Sequence, residues 1–450
     1  MSAVSLREEA LAIWQAGVDA VDSAQLVRNV IQQTETGLVI AGHEWDFTND
    51  GRICVIGAGK AGAGMATGFE SLLKDEWKSH VFGWINVPED CVRELETIHL
   101  HGARPAGVNE PTAAGVEGVQ EILECVRTLG EEDLCVVLIS GGGSALLPAP
   151  VEGISLEDKQ MLTRNLMHAG ATIQELNTVR SSLSKIKGGG LLRACHAGRL
   201  ISLIISDVIG DPLETIASGP TVDIASDPQR AIETLNTIAA RSNFEIPSAI
   251  LHALQGLETV DEAEASVSIT YSNHVIGNNQ TAVEAAAKKA SELGYEIKLK
   301  EHDQPGDANA TGKQFAEKIL QEQAVSASSP KLCFISGGEP TVVLAVTEED
   351  QKGGRNQELV LAAAKVLEEN PQLGIVIVSG GTDGEDGPTD AAGAIIDLEL
   401  LKKATELNLT IADYLSVNNS YSYFEQIDGL IKTGPTHTNV MDLRVGLLIQ

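Results

Sequence analysis

An acidic loop directly after a run of apolar residues carries the side chains best suited to chemistry in this sequence. The β-branched run Ile375–Val378 leads into Ser-Gly-Gly, and several carboxylates follow in the same loop. Carboxylates suit Mg²⁺, while the backbone N–H groups and hydroxyls of Gly, Ser and Thr bind phosphate oxygens. The composition therefore indicates hard-cation and phosphate chemistry, although a solvated acidic turn that caps a helix explains the same residues about as well. The loop carboxylates are Asp383, Glu385, Asp386 and Asp390, of which Asp383, Asp386 and Asp390 are the candidate metal ligands.

Four basic residues lie in other loops beside Gly or Ser. Each of them alone is explained by a solvated cap or a surface ion pair. Together they are typical of a clamp for a substrate rich in oxyanions. The four are Lys60 in GAGKAG, Arg180 in ELNTVRSSLS, Lys187 in KIKGGG and Arg355 in KGGRNQE.

The overall charge limits the classes of partner. The chain of 450 residues has 63 acidic and 32 basic residues and a formal net charge of −31. Nucleic acids and anionic membranes are bound through neutralisation of phosphates, so neither is an expected partner. No apolar run reaches the ~18 residues that span a bilayer. The N-terminal residues resemble an amphipathic helix with acids rather than a signal or transit peptide, which predicts a cytoplasmic protein.

The elements that must position these loops follow one pattern, in which a short apolar stretch enters a turn of Gly, Ser or Asp. The segments start at Ile53, Cys135, Ile201, Leu332 and Ile375, and helical patterns lie between them. This alternation predicts an α/β fold with mostly parallel sheets, whose ligands bind at the carboxyl ends of the strands. The length favours two domains, 1–260 and 266–450, separated by the acidic stretch ETVDEAEAS.

Motif tests narrow the chemistry. Gly57-x-Gly59-x-x-Gly62 lies between a predicted strand and a predicted helix, as in a dinucleotide-binding fingerprint. The acidic residue expected ~20 positions later is not clearly placed, and a lysine inside the turn suits a phosphate better than a nicotinamide. The sequence contains no Walker A, H-E-x-x-H, EF-hand or G-x-S-x-G pattern, and its six cysteines form no C-x-x-C pair.

A series of segments, collinear from about Ile53 to Leu448, resembles the glycerate 2-kinase family. The segments are GAGKA, LISGGGSAL, ELNTVRSSLSKIKGGGL, ISDVIGDPLETIASGPTV, SGGEPTV, GGRNQELVLAAA, SGGTDGEDGPTDAAGA and KTGPTHTNVMDLRV. The resemblance implies a large Rossmann-like N-terminal kinase domain and a smaller C-terminal α/β domain. It also implies that ATP and Mg²⁺ serve the phosphorylation of D-glycerate at its 2-hydroxyl, which gives 2-phosphoglycerate.

The resemblance further implies catalytic roles for Lys60 and Arg355, with Asp207 close by. Phosphoryl transfer depends on positioning and on neutralisation of charge, which this inventory of lysine, carboxylates and glycine loops can provide. Arg355 or Arg180 is the expected partner of the glycerate carboxylate, since an arginine fork matches that geometry. We expect Asp207, ahead of Asp211, Asp383 and Asp386, to accept the proton of the 2-hydroxyl. The candidates for substrate binding are Arg180, Asn177 and Lys187, and those for nucleotide binding are Gly57, Gly59, Gly141, Gly142, Gly143, Ser144 and Asp211.

Two alternative functions fit part of this inventory. An NAD(P)-dependent hydroxypyruvate reductase would use a similar small acid and the GxGxxG loop, and a non-catalytic nucleotide-binding regulator would keep the glycine loops. Because the candidate residues occur in both halves of the chain, we expect the two domains to form an active site in a cleft between them. The expected partners are glycerate and a nucleotide, with the oligomeric state left open and a homodimer as one option.

Overall fold

The computed structural model describes residues 3–108, 110–224, 227–242, 244–257, 269–325, 331–348, 350–371 and 374–449. Two compact units are present. We call the first the nucleotide-side unit, after the nucleotide-binding role that the sequence analysis predicts for its glycine loops; it contains Ser23–Ser206 and Asp211–Ile276. We call the second the terminal unit, which contains Met1–Asp22, Asp207–Gly210 and Gly277–Gln450. The stretch ETVDEAEAS and the predicted boundary between residues 260 and 266 lie outside the described residues.

The secondary structure alternates between helices and strands along most of the chain. The helices of the described residues are α1 (Ala3–Asp19), α2 (Ser23–Val30), α3 (Gly62–Glu70), α4 (Ala113–Arg127), α5 (Gly143–Leu146), α6 (Leu156–His168), α7 (Ile173–Ser182), α8 (Gly190–Ala194), α9 (Pro228–Arg241), α10 (Ser248–Gly256), α11 (Asn279–Glu292), α12 (Ala308–Val325), α13 (Arg355–Glu369), α14 (Leu398–Glu406), α15 (Ile411–Ser416) and α16 (Ser420–Ile427). The strands are β1 (Ile31–Gln33), β2 (Gly37–Ile40), β3 (His43–Asp46), β4 (Ile53–Ala58), β5 (Val81–Pro88), β6 (Ile98–Arg104), β7 (Leu134–Ile139), β8 (Arg199–Ile205), β9 (Thr270–Gly277), β10 (Glu296–Glu301), β11 (Gly306–Asp307), β12 (Lys331–Gly338), β13 (Pro340–Thr341), β14 (Ile375–Gly381), β15 (Gly393–Asp397), β16 (Leu430–Ile431) and β17 (Asp442–Ile449). Short 3₁₀ helices cover Asp75–His80, Glu89–Cys91 and Ile216–Ser218.

The nucleotide-side unit is built on a sheet with the strand order β6-β5-β4-β7-β8-β9. The pairs from β6 to β8 are parallel, and β4 and β7 are buried along their whole length. This order is that of a doubly wound nucleotide-binding sheet, in which the strand order reverses between the first and fourth strands. Here these two strands are β4 and β7, so the ligand crevice is expected at their carboxyl ends.

A helical layer completes the nucleotide-side unit. The helices α6, α7, α9 and α10 share an apolar core that includes Leu166, Val179 and Leu235. Capping boxes fix the starts of α6 and α7, because Ser155 pairs with Asp158 and Thr172 pairs with Glu175. The layer fixes α7, which carries Asn177 and Arg180.

The terminal unit contains a second sheet, whose direction corrects the sequence prediction. Its order is β10-β12-β17-β14-β15-β16, and only the pair β10–β12 is parallel in this sheet as described. The prediction of mostly parallel sheets is therefore wrong for this unit, although the α/β class is confirmed. One cause is β17, which inserts antiparallel between β12 and β14. Another is that β15 follows β14 without a helix between them and pairs with it antiparallel. A strand buried on both faces has the same apolar pattern in either direction, so its composition could not reveal this.

Helix α1 belongs to the terminal unit, although the sequence analysis placed it with the N-terminal domain. Ile13 and Trp14 are buried in the core of that unit, and the indole of Trp14 donates to the carbonyl of Gly380 at 3.4 Å. The reason is packing, since α1 lies against α11, β14 and β17. No helix in the described ranges combines the length and apolar character that a bilayer span needs.

Candidate active site

Two loops meet at the switch point of the nucleotide-side sheet. The first follows β4 and contains Lys60, and the second follows β7 and runs from Ser140 to Ser144. The Lys60 backbone N–H donates to the carbonyl of Gly141 at 2.8 Å, and the N–H of Ala61 donates to Ser140 Oγ at 3.0 Å. These bonds hold the lysine loop and the serine loop together.

Glycines permit this close approach in two different ways. Gly59 has φ +146°, and a Cβ there would lie 2.0 Å from Ser140 Oγ. Gly57 lies inside β4, where a Cβ would come within 1.9 Å of the carbonyl oxygen of Leu138. Gly59 therefore shapes the loop, whereas the space at Gly57 is used by the neighbouring strand.

Arg104 lies at the same loop, although the sequence analysis left it unassigned. A Cβ built on Gly142, whose φ is +77°, would lie 3.1 Å from Arg104 Nη2 and 3.7 Å from Lys60 Cγ. Arg104 is buried at the end of β6, next to β5. Lys60 and Arg104 thus both lie at the switch point. Arg104 is identified only by the order of the strands in the sheet, which cannot be read from the sequence.

Ser144 is the centre of a second basic group. Its hydroxyl lies 2.7 Å from Lys187 Nζ, 3.0 Å from Arg180 Nη2 and 3.1 Å from Ser218 Oγ. Lys187 also donates to the carbonyl oxygen of Ser144 at 2.9 Å. The structure therefore brings Arg180 and Lys187, which the sequence analysis assigned to substrate binding, together with Ser144, which it assigned to nucleotide binding.

Burial without acidic partners lowers the basicity of this group. Burial, with Arg180 and Lys159 nearby, holds the pKa of Lys187 well below its ordinary value. Burial and Arg180 lower the pKa of Lys159 to about 7, while its Nζ donates to the carbonyl of Leu183 at 2.7 Å. In the described ranges no carboxylate forms an ion pair with Lys159, Arg180 or Lys187. An anion is the charge partner that such a group lacks.

A polar cavity of about 540 Å³ opens beside the Ser144 group. Asn177 and Lys187 line it together with Arg193, Arg230 and Pro212. Asp211, which precedes Pro212, has φ +53°. Asn177 is thus placed with the predicted substrate residues, whereas the role of Asp211 stays a prediction.

In the terminal unit, two Ser-Gly-Gly segments lie on either side of β17. Ser336 and Ser379 both pair with Arg444, while Gly338 and Gly381 both pair with Asp442. The first residue of β17 is therefore flanked by the carboxyl ends of β12 and β14, where the predicted acidic loop begins. The sequence analysis predicted an apolar segment before each of these turns, at Leu332 and at Ile375, but it did not indicate the strand that lies between them.

Arg355 binds carboxylates at this edge. Its Nε and Nη2 donate to the two oxygens of Asp442 at 2.8 and 3.0 Å, and its Nη1 lies 2.7 Å from Glu339 Oε1. Burial opposes the charge of Arg355, but Asp442 and Glu339 outweigh it and raise the pKa. The Nε and Nη2 donors of Arg355, which were expected to bind the glycerate carboxylate, are thus occupied by Asp442. The sequence analysis did not single out Asp442.

Asp386 caps the helix that Arg355 begins. Its carboxylate accepts from the backbone N–H groups of Asn356 and Gln357, each at 2.9 Å. Burial raises its pKa to about 7, against the opposing effect of these donors and with a contribution from Asp442. The capping interpretation, left open in the sequence analysis, describes this residue.

The three predicted metal ligands have different surroundings. Asp390 is exposed and accepts from Lys432 at 2.8 Å and from the Tyr421 hydroxyl at 2.7 Å. Asp383 is half-buried, and its Oδ1 accepts the N–H of Glu385 at 3.1 Å. No group of three or more His, Cys, Asp or Glu side chains that could hold a metal occurs in the described residues. The assignment of the three aspartates as metal ligands stays a prediction.

Asp207, the expected proton acceptor, lies in the short part of the terminal unit contributed by Asp207–Gly210. Its Oδ2 accepts from Asn439 Nδ2 at 3.2 Å, and Asn439 Oδ1 accepts the N–H of Met441 at 3.0 Å. Asn439 therefore fixes the orientation of the carboxylate near the start of β17.

Comparisons with known proteins identify the family. Residues 9–255 match the model described as a domain of unknown function, DUF4147, and residues 332–442 match the MOFRL family. The chain is 34% identical to the glycerate kinase of Rattus norvegicus, with 99% of this chain and 93% of that protein covered. It is 35% identical to the glycerate 2-kinase of Pyrococcus horikoshii, with 100% and 98% covered.

The chain belongs to the glycerate kinase family.

A crystal structure of glycerate kinase from Thermotoga maritima agrees with this assignment. Its TM-score against this member of the glycerate kinase family is 0.83 at 30% identity, with 99% of this chain and 100% of that chain covered. The resemblance inferred from the sequence motifs is thereby confirmed. Four residues that lie near the candidate site residues of this glycerate kinase family member were not singled out from the sequence: Arg104, Lys159, Asp442 and Asn439.

Proposed function

We propose that this protein transfers the γ-phosphoryl group of ATP to the 2-hydroxyl of D-glycerate, which gives 2-phosphoglycerate and ADP. The observation that carries the proposal is the similarity along nearly the whole chain to proteins named glycerate kinase and glycerate 2-kinase. Phosphoryl transfer needs charge neutralisation and positioning rather than covalent chemistry. The basic groups at Lys60 and Ser144 supply that charge in a chain whose net charge is −31.

The basic groups of the nucleotide-side unit have separate proposed roles. Lys60 and Arg104, beside the glycine loop, neutralise the phosphates of ATP, with Gly59, Gly141, Gly142 and Gly143 providing close backbone approach. Arg180 takes the glycerate carboxylate, because it has no acidic partner in the described part of the chain and a guanidinium matches a carboxylate in geometry. Lys187 acts through Ser144 rather than on glycerate.

In the terminal unit, Asp207 accepts the proton of the 2-hydroxyl. Its contact with Asn439 supports this role, since a base must be held in one orientation. Arg355 contributes positive charge while it remains bound to Asp442. That both units serve one reaction remains a proposal, as the sequence analysis expected.

Magnesium is proposed as the metal ion of this reaction. Mg²⁺ usually binds one or two carboxylates together with phosphate oxygens. We propose that the acidic loop after β14 holds the ion, with Asp383, Asp386 and Asp390 as the candidate ligands. To bind it, Asp386 would give up its helix N–H donors, and Asp390 would give up Lys432 and Tyr421. When bound, the ion would neutralise charge on the transferred phosphoryl group.

We also propose a cellular location and an assembly state. A cytoplasmic location is supported by the lack of any disulfide in the described residues of a chain with six cysteines. A homodimer stays a prediction, which light scattering of the purified protein tests.

The test of the proposed function is the rate of ADP formation with ATP, Mg²⁺ and D-glycerate. We expect ADP release that depends on D-glycerate, with L-glycerate as the matched control substrate. A parallel sample receives hydroxypyruvate and reduced nicotinamide cofactor. If the cofactor were oxidised and no glycerate-dependent ADP release were seen, the protein would be a hydroxypyruvate reductase and not a kinase.

A further inference from the structure

The hydroxyl of Ser144 is surrounded as a reactive nucleophile would be. Ser144 is half-buried and lies two residues after Gly142, whose backbone is in the left-handed conformation with φ +77°. Lys187 Nζ is its nearest neighbour at 2.7 Å, and Arg180 Nη2 lies at 3.0 Å. A serine becomes a nucleophile when a base takes its proton and a fixed cation stabilises the oxygen that remains.

The hydrogen bonds of Lys187 are consistent with a neutral amine. Lys187 is 5% exposed, and no carboxylate partners it in the described residues. A charged ammonium beside Arg180 and Lys159 would be uncompensated in a buried position. In this structure Lys187 Nζ lies at donor distance from both Ser144 oxygens. A neutral amine at the same position would donate one N–H to the carbonyl oxygen of Ser144 and accept the O–H of the same residue. The Ser144 oxygen then still accepts the N–H of Arg180.

We propose that Ser144 is an activated nucleophile that accepts the γ-phosphoryl group of the nucleotide when glycerate is absent. This inference rests on the proposed function, which places ATP at the loop that contains Ser144. Ser144 Oγ forms a bond to the γ-phosphorus, and the bond from that phosphorus to the β,γ-bridging oxygen breaks. ADP leaves, and the hydroxyl proton moves to Lys187 Nζ.

The surroundings would also stabilise the product. A phosphoserine carries nearly two negative charges at neutral pH and binds well to arginine and lysine. Arg180, Lys187 and Lys159 supply the basic groups, and Lys187 becomes cationic through the proton that it receives. Glycerate bound at Arg180 would compete with this reaction, which restricts it to the enzyme without its acceptor.

Two neighbouring serines lack this environment and serve as internal controls. Ser218 Oγ lies 3.1 Å from Ser144 Oγ, but the hydrogen bonds of Lys187 and Arg180 to this pair of hydroxyls go to Ser144 within the described part of the chain. Ser140 Oγ accepts the N–H of Ala61 and is buried between the two loops. The proposal therefore predicts modification at Ser144 alone.

The experiment is peptide mass spectrometry of the full chain after incubation with ATP and Mg²⁺, with and without D-glycerate. We expect one phosphoryl group on Ser144 without glycerate and less of it with glycerate. Ser144→Ala abolishes the modification, Ser218→Ala retains it, and Lys187→Met slows it by about 10²-fold or more, as loss of a general base does. A wild-type sample that makes phosphoglycerate but shows no phosphate on Ser144, or shows it on Ser218, would overturn the proposal.

A serine-reactive fluorophosphonate separates this outcome from failure of the proposed function, because it needs neither ATP nor glycerate. It forms an oxygen–phosphorus bond to the serine and releases fluoride, while the proton again moves to Lys187. If the protein has no kinase activity, labelling of Ser144 that Lys187→Met suppresses supports the activated serine. An unlabelled Ser144 in that case rejects it.

Discussion

Lys60 is the residue whose predicted role is most directly open to mutation. The backbone N–H groups of Lys60 and Ala61 form the hydrogen bonds that join its loop to the Ser140–Ser144 loop. The Lys60 side chain can therefore be shortened without removing these hydrogen bonds. Lys60→Ala should lower kcat by about 10²-fold or more, as expected for loss of a charge partner in the transition state. The measurement is steady-state kinetics, with circular dichroism as the check on folding.

Lys185→Ala is the matched control for Lys60→Ala. Lys185 lies in the same unit, and its side chain is half-exposed and 4.0 Å from Glu152. Its removal should leave kcat within about twofold, as is usual for a surface charge. Equal losses in the two variants would assign the effect to general charge rather than to Lys60.

Substitution of Arg355 and of Arg180 by lysine should affect different properties, namely stability for Arg355 and glycerate binding for Arg180. Arg355→Lys keeps the charge but loses the paired bonds to the buried Asp442, so we expect about 1–3 kcal/mol less unfolding free energy. Arg180→Lys should instead raise the KM for glycerate by about tenfold, which corresponds to one lost charged hydrogen bond. Urea unfolding and steady-state kinetics of both variants test this, and the opposite assignment of the two effects would make Arg355 the glycerate ligand.

Asp386 should make stability depend on pH. Its folded pKa is about 7, against ~3.9 in an unfolded chain. Between these values the folded state holds more protons than the unfolded state, so the unfolding free energy falls as pH rises from about 4 to 7. The slope from one group is at most about 1.4 kcal/mol per pH unit.

Urea unfolding of Asp386→Asn across that pH range is the measurement. The variant should lose this slope, although it is less stable because its amide accepts fewer helix N–H bonds. Asp390→Asn is the control from the same loop, since the bonds of Asp390 to Lys432 and Tyr421 lower its pKa and take its titration out of this window. A slope unchanged in Asp386→Asn would mean that Asp386 is ionised throughout.

The residue types of the site were readable from the sequence, but their pairings were not. Lys60, Arg180, Lys187 and Arg355 were recognised because they are basic and lie beside Gly or Ser in an acidic chain. Asp442 was not, since an aspartate in the segment KTGPTHTNVMDLRV carries no signal of the arginine that lies 87 positions away in sequence. That contact depends on the antiparallel insertion of β17.

At the scale of elements, the contact between β4 and β7 decides what the first glycine of GxGxxG does. Gly57→Ala would place a methyl group against the carbonyl of Leu138, and the strands would have to separate. We expect a loss of about 1–3 kcal/mol or more in unfolding free energy, typical of overpacking.

Gly130→Ala provides the control for Gly57→Ala, because nothing lies within 4 Å of the added Cβ. Its unfolding free energy should change by no more than about 0.5 kcal/mol, as at other surface positions. If Gly57→Ala were as mild as Gly130→Ala in urea unfolding, Gly57 would be available to a ligand, as the nucleotide assignment expected.

Element types were predicted well, and strand directions only in part. The parallel sheet of the nucleotide-side unit follows from the alternation of strands with helices, which forces crossover connections. In the terminal unit the loop between β14 and β15 contains no helix, and β17 comes from the end of the chain. An apolar run alone does not distinguish these two situations.

At the scale of the whole molecule, the family could be assigned from the sequence because its motifs occur in order along the chain. The packing of α1 in the terminal unit was not predicted, since an amphipathic helix does not specify which unit it covers. The charge of −31 makes polyanionic macromolecules unexpected as partners, but it gives no information about which small anion the protein would bind.

The central claim is that glycerate is phosphorylated at its 2-hydroxyl, and ³¹P NMR of the product tests it most directly. A phosphate ester on carbon 2 is coupled to a single proton and gives a doublet, whereas an ester on carbon 3 is coupled to two protons and gives a triplet. We predict a doublet that grows with time in the presence of the protein, ATP, Mg²⁺ and D-glycerate, and that grows about 10²-fold more slowly, or slower still, with Lys60→Ala. A triplet, or free phosphate as the sole new signal, would contradict the account.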